Sequence, residues 1–256
     1  MCRWLAYTGA LVYLEDFLFE PENSLIEQSL HARKGATTTN GDGFGIGWYD
    51  EQDTPGLYRD ILPAWNDPNL KSLAQHIRSK MFLAHVRAST GASTTRYNSH
   101  PFQYGKWLFM HNGQIPDFDK IHRKLDIQIP DELYPCKLGN TDSEIIFLML
   151  VNNGLENDVY AAVLKTIQDV ENAMKEAGII EPFKFSACIS DGKDLYAPRY
   201  STDSKPPTVF YCEKESRTVI ASEPLVMDEE NWSIVPSGTM LVIKEGVHDF
   251  VSITTA

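Results

Sequence analysis

Cys2 is the residue of this sequence whose type and position point most directly to chemistry. An initiator Met before a small residue such as Cys is normally removed, so we expect Cys2 to begin the mature chain. The exposed α-amine has an ordinary pKa of about 8 and the thiol one of about 8.5. One residue could then carry a nucleophile and its general base, as N-terminal threonine nucleophiles do. The alternative is that Cys stands second by chance.

Two apolar segments end in groups that could bind a substrate. In AHVRAST (84–90), Arg87 follows a predicted strand, where a guanidinium can hold a carboxylate through two parallel hydrogen bonds. In FMHNG (109–113), Asn112 and Gly113 offer an amide and a backbone N–H that could form an oxyanion hole. The alternatives are a structural ion pair for Arg87 and a simple turn for the Asn-Gly pair.

Asp142 stands at the start of a strongly apolar helix, in the segment GNTDSE (139–144). A carboxylate at this point could hold the ammonium group of a substrate. The alternative is that Asp142 complements the helix dipole, while Thr141 and Glu144 form a capping box.

The glycine-rich segment and the histidines are interpreted as structural. NGDGFGIGW (40–48) lacks the G-x-G-x-x-G spacing and the strand-to-helix turn of a dinucleotide-binding loop, so we expect close backbone packing beside the site. The seven histidines show no metal-binding cluster, and no metal or organic cofactor is expected. His85, His100 and His111 are interpreted as local hydrogen-bonding residues.

The remaining cysteines do not indicate a metal or disulfide site. No two of the four cysteines have the C-x-x-C spacing of a zinc site. Cys188 and Cys212 lie in apolar, β-rich runs, so we expect buried core thiols. The role of Cys136 stays open.

The composition excludes several classes of partner. The chain has 256 residues, of which 43% are hydrophobic, so it can bury a sizeable core. Its net charge of −12 argues against nucleic acid and anionic membranes as partners. The N-terminal segment resembles neither a secretory signal nor a membrane span, and no run reaches the roughly 18 apolar residues of a membrane helix. We therefore expect a soluble, cytoplasmic protein.

Periodicity predicts an alternation of strands and helices without a regular βαβ rhythm. The predicted strands are Cys2–Tyr7, Phe44–Tyr49, Leu57–Leu62, Met81–Val86, Trp107–His111 and six in the last third (183–190, 194–197, 208–213, 217–223, 239–244 and 248–253). The predicted helices are Ser24–Lys34 capped by Gly35, Pro68–Lys80, one along Phe118–Leu125, one from Thr141 to Gly154, and Asn157–Ala177. This pattern favours an α+β sandwich with antiparallel sheets between helix layers.

Seven segments in this order resemble the class II glutamine amidotransferases, a branch of the N-terminal-nucleophile hydrolases: MCRWLAY, DGFGIGW, AHVRAST, NSHPF, HNG, NTDSE and ASEPL. The resemblance spans the chain from Cys2 to about Gly246. It implies the four-layer αββα fold, with two mostly antiparallel sheets between helix layers.

The resemblance also implies a role for each candidate residue. Cys2 would be the nucleophile, and Asn112 with Gly113 would form the oxyanion hole. Arg87 would hold the α-carboxylate of the substrate, and Asp142 would hold its α-ammonium group. The expected activity is hydrolysis of the γ-glutamyl amide of glutamine or a γ-glutamyl compound, through a thioester on the N-terminal Cys.

The sequence departs from the synthase-linked members of that family in two ways. Ala88 stands where many of them carry an aromatic residue, and we find no segment resembling an acceptor domain. We therefore expect a single amidotransferase domain over residues 2–256 without a synthase domain, most similar to the small stand-alone members that include γ-glutamyl hydrolases of thiol metabolism. The alternatives are a glutaminase subunit that feeds a separate synthase and a catalytically silent binding module. A homo-oligomer also stays open.

Overall fold

The computed structural model of the protein describes residues 2–33, 39–89, 93–214, 217–226 and 231–253. Within these residues the strands form two antiparallel sheets. In spatial order the first sheet contains β11 (Ser233–Ile234), β9 (Phe210–Lys214), β10 (Arg217–Ala221), β1 (Arg3–Tyr13), β4 (Arg78–Val86), β2 (Phe44–Tyr49) and β3 (Gly56–Asp60). The second contains β13 (Val247–Ser252), β12 (Thr239–Lys244), β8 (Leu195–Ser201), β7 (Lys184–Ser190), β6 (Trp107–Gln114) and β5 (Phe102–Tyr104).

The helices lie on the outer faces of the two sheets. Apolar side chains of α1 (Glu15–Leu18), α2 (Leu25–Leu30) and α3 (Pro68–His76) share one core with the first sheet. Those of α4 (Phe118–Asp126), α5 (Asp142–Asn152) and α6 (Val159–Glu176) share another core with the second sheet. A middle core fills the space between the sheets. The predicted four-layer αββα sandwich is therefore confirmed.

Strand alternation decides which core each side chain enters. Along β1, Trp4 and Ala6 enter the middle core, whereas Leu5 and Tyr7 pack in the core beneath α1–α3. Successive side chains of a strand point to opposite faces of its sheet. Cys2 has the parity of Trp4, so its side chain belongs on the inner face.

Two predicted helices end earlier in the structure. The helix that begins at Pro68 ends at His76 rather than Lys80, because Ile77 is extended and Ser79 pairs with Val12 of β1. The helix predicted over Ser24–Lys34 covers Leu25–Leu30, and the backbone turns away at His31. Lys34 and the predicted capping residue Gly35 lie outside the described residues.

The thiols follow the prediction only in part. Cys188 is buried in the middle core as expected. Cys212 is only partly buried, and the prediction of a core thiol was wrong there, because β9 is followed at this edge only by the two-residue strand β11. Cys136 is exposed.

Among the helices of the described residues, none combines the length and the apolar character that crossing a membrane requires.

Candidate active site

Cys2 lies immediately before β1, beside the end of β4. Its sulfur accepts a hydrogen bond from the backbone N–H of Ala88 at 3.4 Å and lies 3.6 Å from the Ala88 carbonyl oxygen. Burial raises the pKa of the Cys2 thiol above its ordinary value, while the Ala88 N–H and the positive charges of Arg87 and Arg3 act in the opposite direction. The thiol therefore has a fixed position, but it needs a base to become a nucleophile.

Arg87 follows β4 and is 4% exposed. Its Nη1 donates to the carbonyl oxygen of Asp42 at 3.4 Å and its Nη2 to the hydroxyl of Ser89 at 3.3 Å. The guanidinium forms no ion pair with any residue that the structure describes, so the alternative of a structural ion pair finds no support there. A buried charge without a counterion is unfavourable, which suits the guanidinium to an anionic ligand.

The glycine-rich segment holds Arg87 from the neighbouring strand. The Asp42 N–H donates to the Arg87 carbonyl at 3.0 Å, and the Arg87 N–H donates to the Gly43 carbonyl at 2.8 Å. The Asp42 carboxylate accepts from the Ser89 N–H at 2.8 Å. Gly43 has a φ of +114°, and an added Cβ would lie 2.8 Å from the Asp60 carbonyl oxygen. The sequence predicted close backbone packing beside the site. It did not predict that the Asp42 carboxylate would bond to the segment after β4.

Asn112 and Gly113 lie within β6, which continues to Gln114. The alternative of a simple turn at the strand end is wrong, because both residues pair with β7. Asn112 is buried, and its side chain makes no hydrogen bond to a described residue. A Cβ at Gly113 would lie 1.9 Å from the Lys184 carbonyl oxygen and 2.5 Å from His111 Nε2. Only glycine fits this position.

Asp142 is tied to the end of β6. Its Oδ2 accepts from the Ile115 N–H at 2.9 Å, and its Oδ1 accepts from the Ser143 N–H at 2.7 Å. The side chain of Thr141 caps α5 as predicted, but the Glu144 carboxylate bonds to the loop before the helix rather than back to Thr141. The structure thus places Asp142 in contact with Ile115, two residues after Gly113.

Contacts across the middle core relate Cys2 and Arg87, beside β4, to Asn112 and Gly113 in β6. Ser190, which pairs with Leu108 of β6, contacts Met81 of β4 through its hydroxyl and the sulfur, 2.9 Å apart. From this level β4 leads to Arg87 and β6 leads to Asn112, and both β1 and β4 contact β6. Cys2 and Arg87 therefore lie at the same end of the sandwich as Asn112 and Gly113.

Three buried histidines underlie this end of the sandwich. His85 and His100 lie in contact with ring centroids 4.2 Å apart and planes tilted by 32°, and their ring nitrogens make no hydrogen bond of normal geometry to a described residue. The predicted hydrogen-bonding role therefore finds no support for His100 among the described residues, and for His85 it stays a prediction. It is confirmed for His111, whose Nε2 lies 3.2 Å from the Lys184 carbonyl oxygen and whose Nδ1 lies 2.8 Å from the Ser143 hydroxyl.

Burial determines the charge of these imidazoles. It lowers the pKa of His85 to about 3, with a further contribution from the charge of Arg87. It also lowers the pKa of His100 well below the ordinary value, and that of His111 in spite of the opposing charge of Asp142. The rings are therefore neutral at physiological pH, and the charge of Arg87 contributes to the lowered pKa of His85 and His100.

Neither a metal site nor the cavity beside Trp107 coincides with these residues. Among the described residues, no group of three or more His, Cys, Asp or Glu side chains could hold a metal ion. An open cavity of about 600 Å³ lies at the start of β6, lined by Trp107, Tyr196 and Lys244 among others. None of the five candidate residues lines it.

Comparison with known proteins identifies the family. The family model described as class II glutamine amidotransferases matches residues 20–204. The chain belongs to this family. The matched segment begins after Cys2 and contains Arg87, Asn112, Gly113 and Asp142.

Individual members resemble this class II amidotransferase over nearly its whole length. The probable glutamine amidotransferase DUG3 of Saccharomyces cerevisiae is 33% identical, over 96% of this chain and 82% of that protein. The gamma-glutamyl-hercynylcysteine sulfoxide hydrolase of Mycolicibacterium smegmatis is 27% identical, over 96% of each chain. The solved structure of a glutamine aminotransferase class-II domain protein from Silicibacter pomeroyi is 36% identical and covers 100% of both chains, with a TM-score of 0.80.

A more distant structure shares the fold alone. The glutamine phosphoribosylpyrophosphate amidotransferase of B. subtilis has a TM-score of 0.65 and 13% identity. The match covers 100% of this chain but only 50% of the B. subtilis chain. The fold of this protein therefore corresponds to half of that enzyme chain.

Proposed function

We propose that this protein hydrolyses the γ-glutamyl amide bond of glutamine or of a γ-glutamyl compound, with Cys2 as the nucleophile after removal of Met1. The observation that carries the proposal is the buried guanidinium of Arg87, which has no ion-pair partner among the described residues and lies one residue from the Ala88 N–H that contacts the Cys2 sulfur. Membership of the class II glutamine amidotransferases supports it.

In this proposal the glutamyl group is held at its two charged ends. Arg87 binds the α-carboxylate, which supplies the missing counterion and allows a bidentate pair. Asp142 binds the α-ammonium group with the lone pairs that its bonds to Ile115 and Ser143 leave available. The γ-carbonyl then lies between Cys2 and the Asn112 side chain.

The bond changes use one residue as both nucleophile and base. The Cys2 thiol gives its proton to its own α-amine, and the sulfur bonds to the γ-carbonyl carbon. The Asn112 amide and the Gly113 N–H stabilise the tetrahedral oxyanion. The protonated amine returns the proton to the leaving nitrogen as the C–N bond breaks. Water then cleaves the thioester, which releases glutamate and restores the thiol.

We infer that residues 2–256 act as a single amidotransferase domain, which the full mutual coverage with the Silicibacter pomeroyi structure supports. A cytoplasmic location and the absence of a cofactor stay predictions.

The identity of the leaving group stays open, because Arg87 and Asp142 would bind only the glutamyl end of the substrate. The name of the mycobacterial relative, a γ-glutamyl hydrolase, favours an amine larger than ammonia.

A substrate screen tests the proposal. Purified protein is incubated with glutamine, glutathione and other γ-glutamyl compounds, while released glutamate, ammonia and amine are measured and the intact mass is recorded on the same sample. We expect glutamate release by protein that lacks Met1. Weak activity on glutamine with strong stimulation by a partner would favour the glutaminase subunit instead. No hydrolysis of any γ-glutamyl compound by fully processed protein would refute the proposal and favour a silent binding module.

A further inference from the structure

Arg3 forms a buried link between the proposed nucleophile and the last third of the chain. Its Nε donates to Glu223 Oε2 at 2.9 Å, and its Nη1 donates to the backbone carbonyl of Cys2, also at 2.9 Å. The two side chains are 2% and 1% exposed. Charge-assisted hydrogen bonds of this length are strong and directional. The guanidinium therefore ties the position of the Cys2 carbonyl to that of the Glu223 carboxylate.

Glu223 is held independently of Arg3. Its Oε1 accepts from Asn23 Nδ2 and from the Arg33 backbone N–H, each at 3.2 Å. Its backbone carbonyl lies 3.3 Å from Gln28 Nε2. These partners belong to α2 and its flanking residues, on the outer face of the first sheet. Glu223 is therefore a fixed anchor for Arg3.

A nucleophile at the beginning of a chain needs such an anchor, because the first residues of a domain are poorly ordered unless they are tied down. Arg3 opposite Val86 is the outermost pair of β1 with β4, so Cys2 lies one residue beyond the paired region. Ala88 holds its sulfur on the inner face. Arg3 holds its carbonyl from the outer face, which fixes the rotation about the Cα–C bond.

We propose that Arg3 and Glu223 form a positioning pair that fixes the Cys2 backbone and thereby orients the terminal amine toward the thiol. The inference rests on the proposed function, since that amine exists only after Met1 has been removed. Neither residue touches the substrate in this scheme, so both act through Cys2.

The charge of Arg3 adds a second effect. The guanidinium lowers the pKa of the Cys2 thiol against the effect of burial. A nearby cation also disfavours a second positive charge, so Arg3 favours the neutral form of the terminal amine. The neutral amine is the form that can accept the thiol proton.

Three variants separate geometry from charge. Glu223→Gln frees the guanidinium but keeps its charge, Arg3→Lys keeps a charge without the planar fork, and Arg3→Met removes both. Breaking a buried ion pair also destabilises a fold, so the control is Arg199→Met. Arg199 is half-buried in the second sheet and donates to the carbonyls of Pro207 and Val235 at 2.9 and 2.7 Å.

Each variant is assayed in two ways, with removal of Met1 checked by intact mass. The first assay is hydrolysis of the best γ-glutamyl substrate from the screen, across the pH range in which the thiol and the amine titrate. The second is the alkylation rate of Cys2 by iodoacetamide over the same range, followed by peptide mass spectrometry. This second assay needs no turnover, so it tests the positioning pair even if the proposed function fails.

We expect kcat to fall roughly tenfold in Glu223→Gln and Arg3→Lys and about a hundredfold in Arg3→Met, with KM within about twofold, since misplacement of a reacting group has costs of this size. In Arg3→Met alone, the acid limb of kcat/KM and the alkylation profile move to higher pH. Arg199→Met loses thermal stability but keeps both profiles.

Wild-type kcat and wild-type alkylation profiles in the folded variants would overturn the inference. If Arg3→Met does not fold, Glu223→Gln decides. If the wild-type protein hydrolyses nothing, an alkylation profile altered in Arg3→Met but not in Arg199→Met still supports the pair, and an unaltered one rejects it.

Discussion

The backbone N–H of Ala88 lies 3.4 Å from the sulfur of Cys2. Ala88 follows Arg87 directly, so the residue next to the buried guanidinium contacts the proposed nucleophile. The short segment after β4 thus carries the proposed binding group and contacts the proposed nucleophile. A substrate with an anionic end and an amide a few bonds away can reach both.

Cys2→Ala is expected to remove γ-glutamyl hydrolysis while the fold is retained, because the scheme has no other nucleophile. Cys136→Ser is the matched control, since Cys136 is an exposed free thiol. Release of glutamate and thermal unfolding are measured on both variants. Turnover by Cys2→Ala at the wild-type rate would reject the mechanism.

Arg87→Met is expected to weaken substrate binding without loss of stability. Each lost charge-assisted hydrogen bond is worth about 1.5 to 3 kcal/mol, or roughly tenfold to a hundredfold in KM. Replacement of an unpaired buried charge by an apolar side chain leaves Tm unchanged or raises it. Arg78→Met, an exposed position at the other end of β4, serves as control. A marked fall in Tm with unchanged KM would instead indicate a structural guanidinium.

Asn112→Ala is expected to reduce kcat by about a hundredfold to a thousandfold, the usual effect of removing one oxyanion donor. KM changes little, since this bond strengthens as the oxyanion forms. Asn153→Ala is the control, because Asn153 is half-buried at the far end of α5, where it bonds to Thr166. Steady-state kinetics on both variants test the assignment, and a purely KM effect at Asn112 would contradict it.

The candidate site could be predicted because its residues adjoin elements with clear apolar patterns. Arg87 follows the apolar strand at 81–86, and Asp142 begins the most apolar helix. The anchors of the site could not be predicted in this way. Arg87 meets Asp42, 45 positions away, and Arg3 meets Glu223, 220 positions away. A local pattern contains no information on such distant pairs, although both Arg3 and Glu223 stand out as charges within apolar runs.

The layers of the fold were predictable, but several element ends were not. The helical spacing of Leu73 and Ile77 extends toward Lys80, yet residues 78–80 join β4 because Ser79 pairs with Val12. The same occurred at Asn112, since a turn-forming dipeptide lies inside a strand that pairs with β7. In both cases sheet pairing outweighs local preference. The prediction of four layers does not depend on the exact ends of the elements, because it follows from the alternation of side chains between the two faces of each strand.

The buried pair of His85 and His100 is expected to make stability depend on pH. Their folded-state pKa values are lowered, to about 3 for His85. Between the ordinary value of 6.5 and that value, the unfolded chain binds protons that the folded protein does not. The free energy of unfolding therefore falls as pH drops below 6.5, by at most about 1.4 kcal/mol per pH unit for each ring.

His85→Phe should flatten this pH dependence, measured by urea unfolding at several pH values. His76→Gln, an exposed histidine at the end of α3, should leave the dependence unchanged. An identical slope in His85→Phe and the wild type would show that other groups control acid stability.

Asp142→Asn distinguishes recognition of an ammonium group from stabilisation of a helix. In the proposed mode the wild-type enzyme favours glutamine over glutaramate, the analogue that lacks the α-amine. The neutral side chain cannot attract a cation, so Asp142→Asn should raise KM for glutamine by roughly tenfold and leave KM for glutaramate nearly unchanged. Asp158→Asn is the matched control, since Asp158 caps α6 away from the site. Both variants should lose similar stability, because each weakens hydrogen bonds at a helix N-terminus. If Asp142→Asn raises both KM values equally, the carboxylate at 142 acts only by holding α5 and the end of β6 in place.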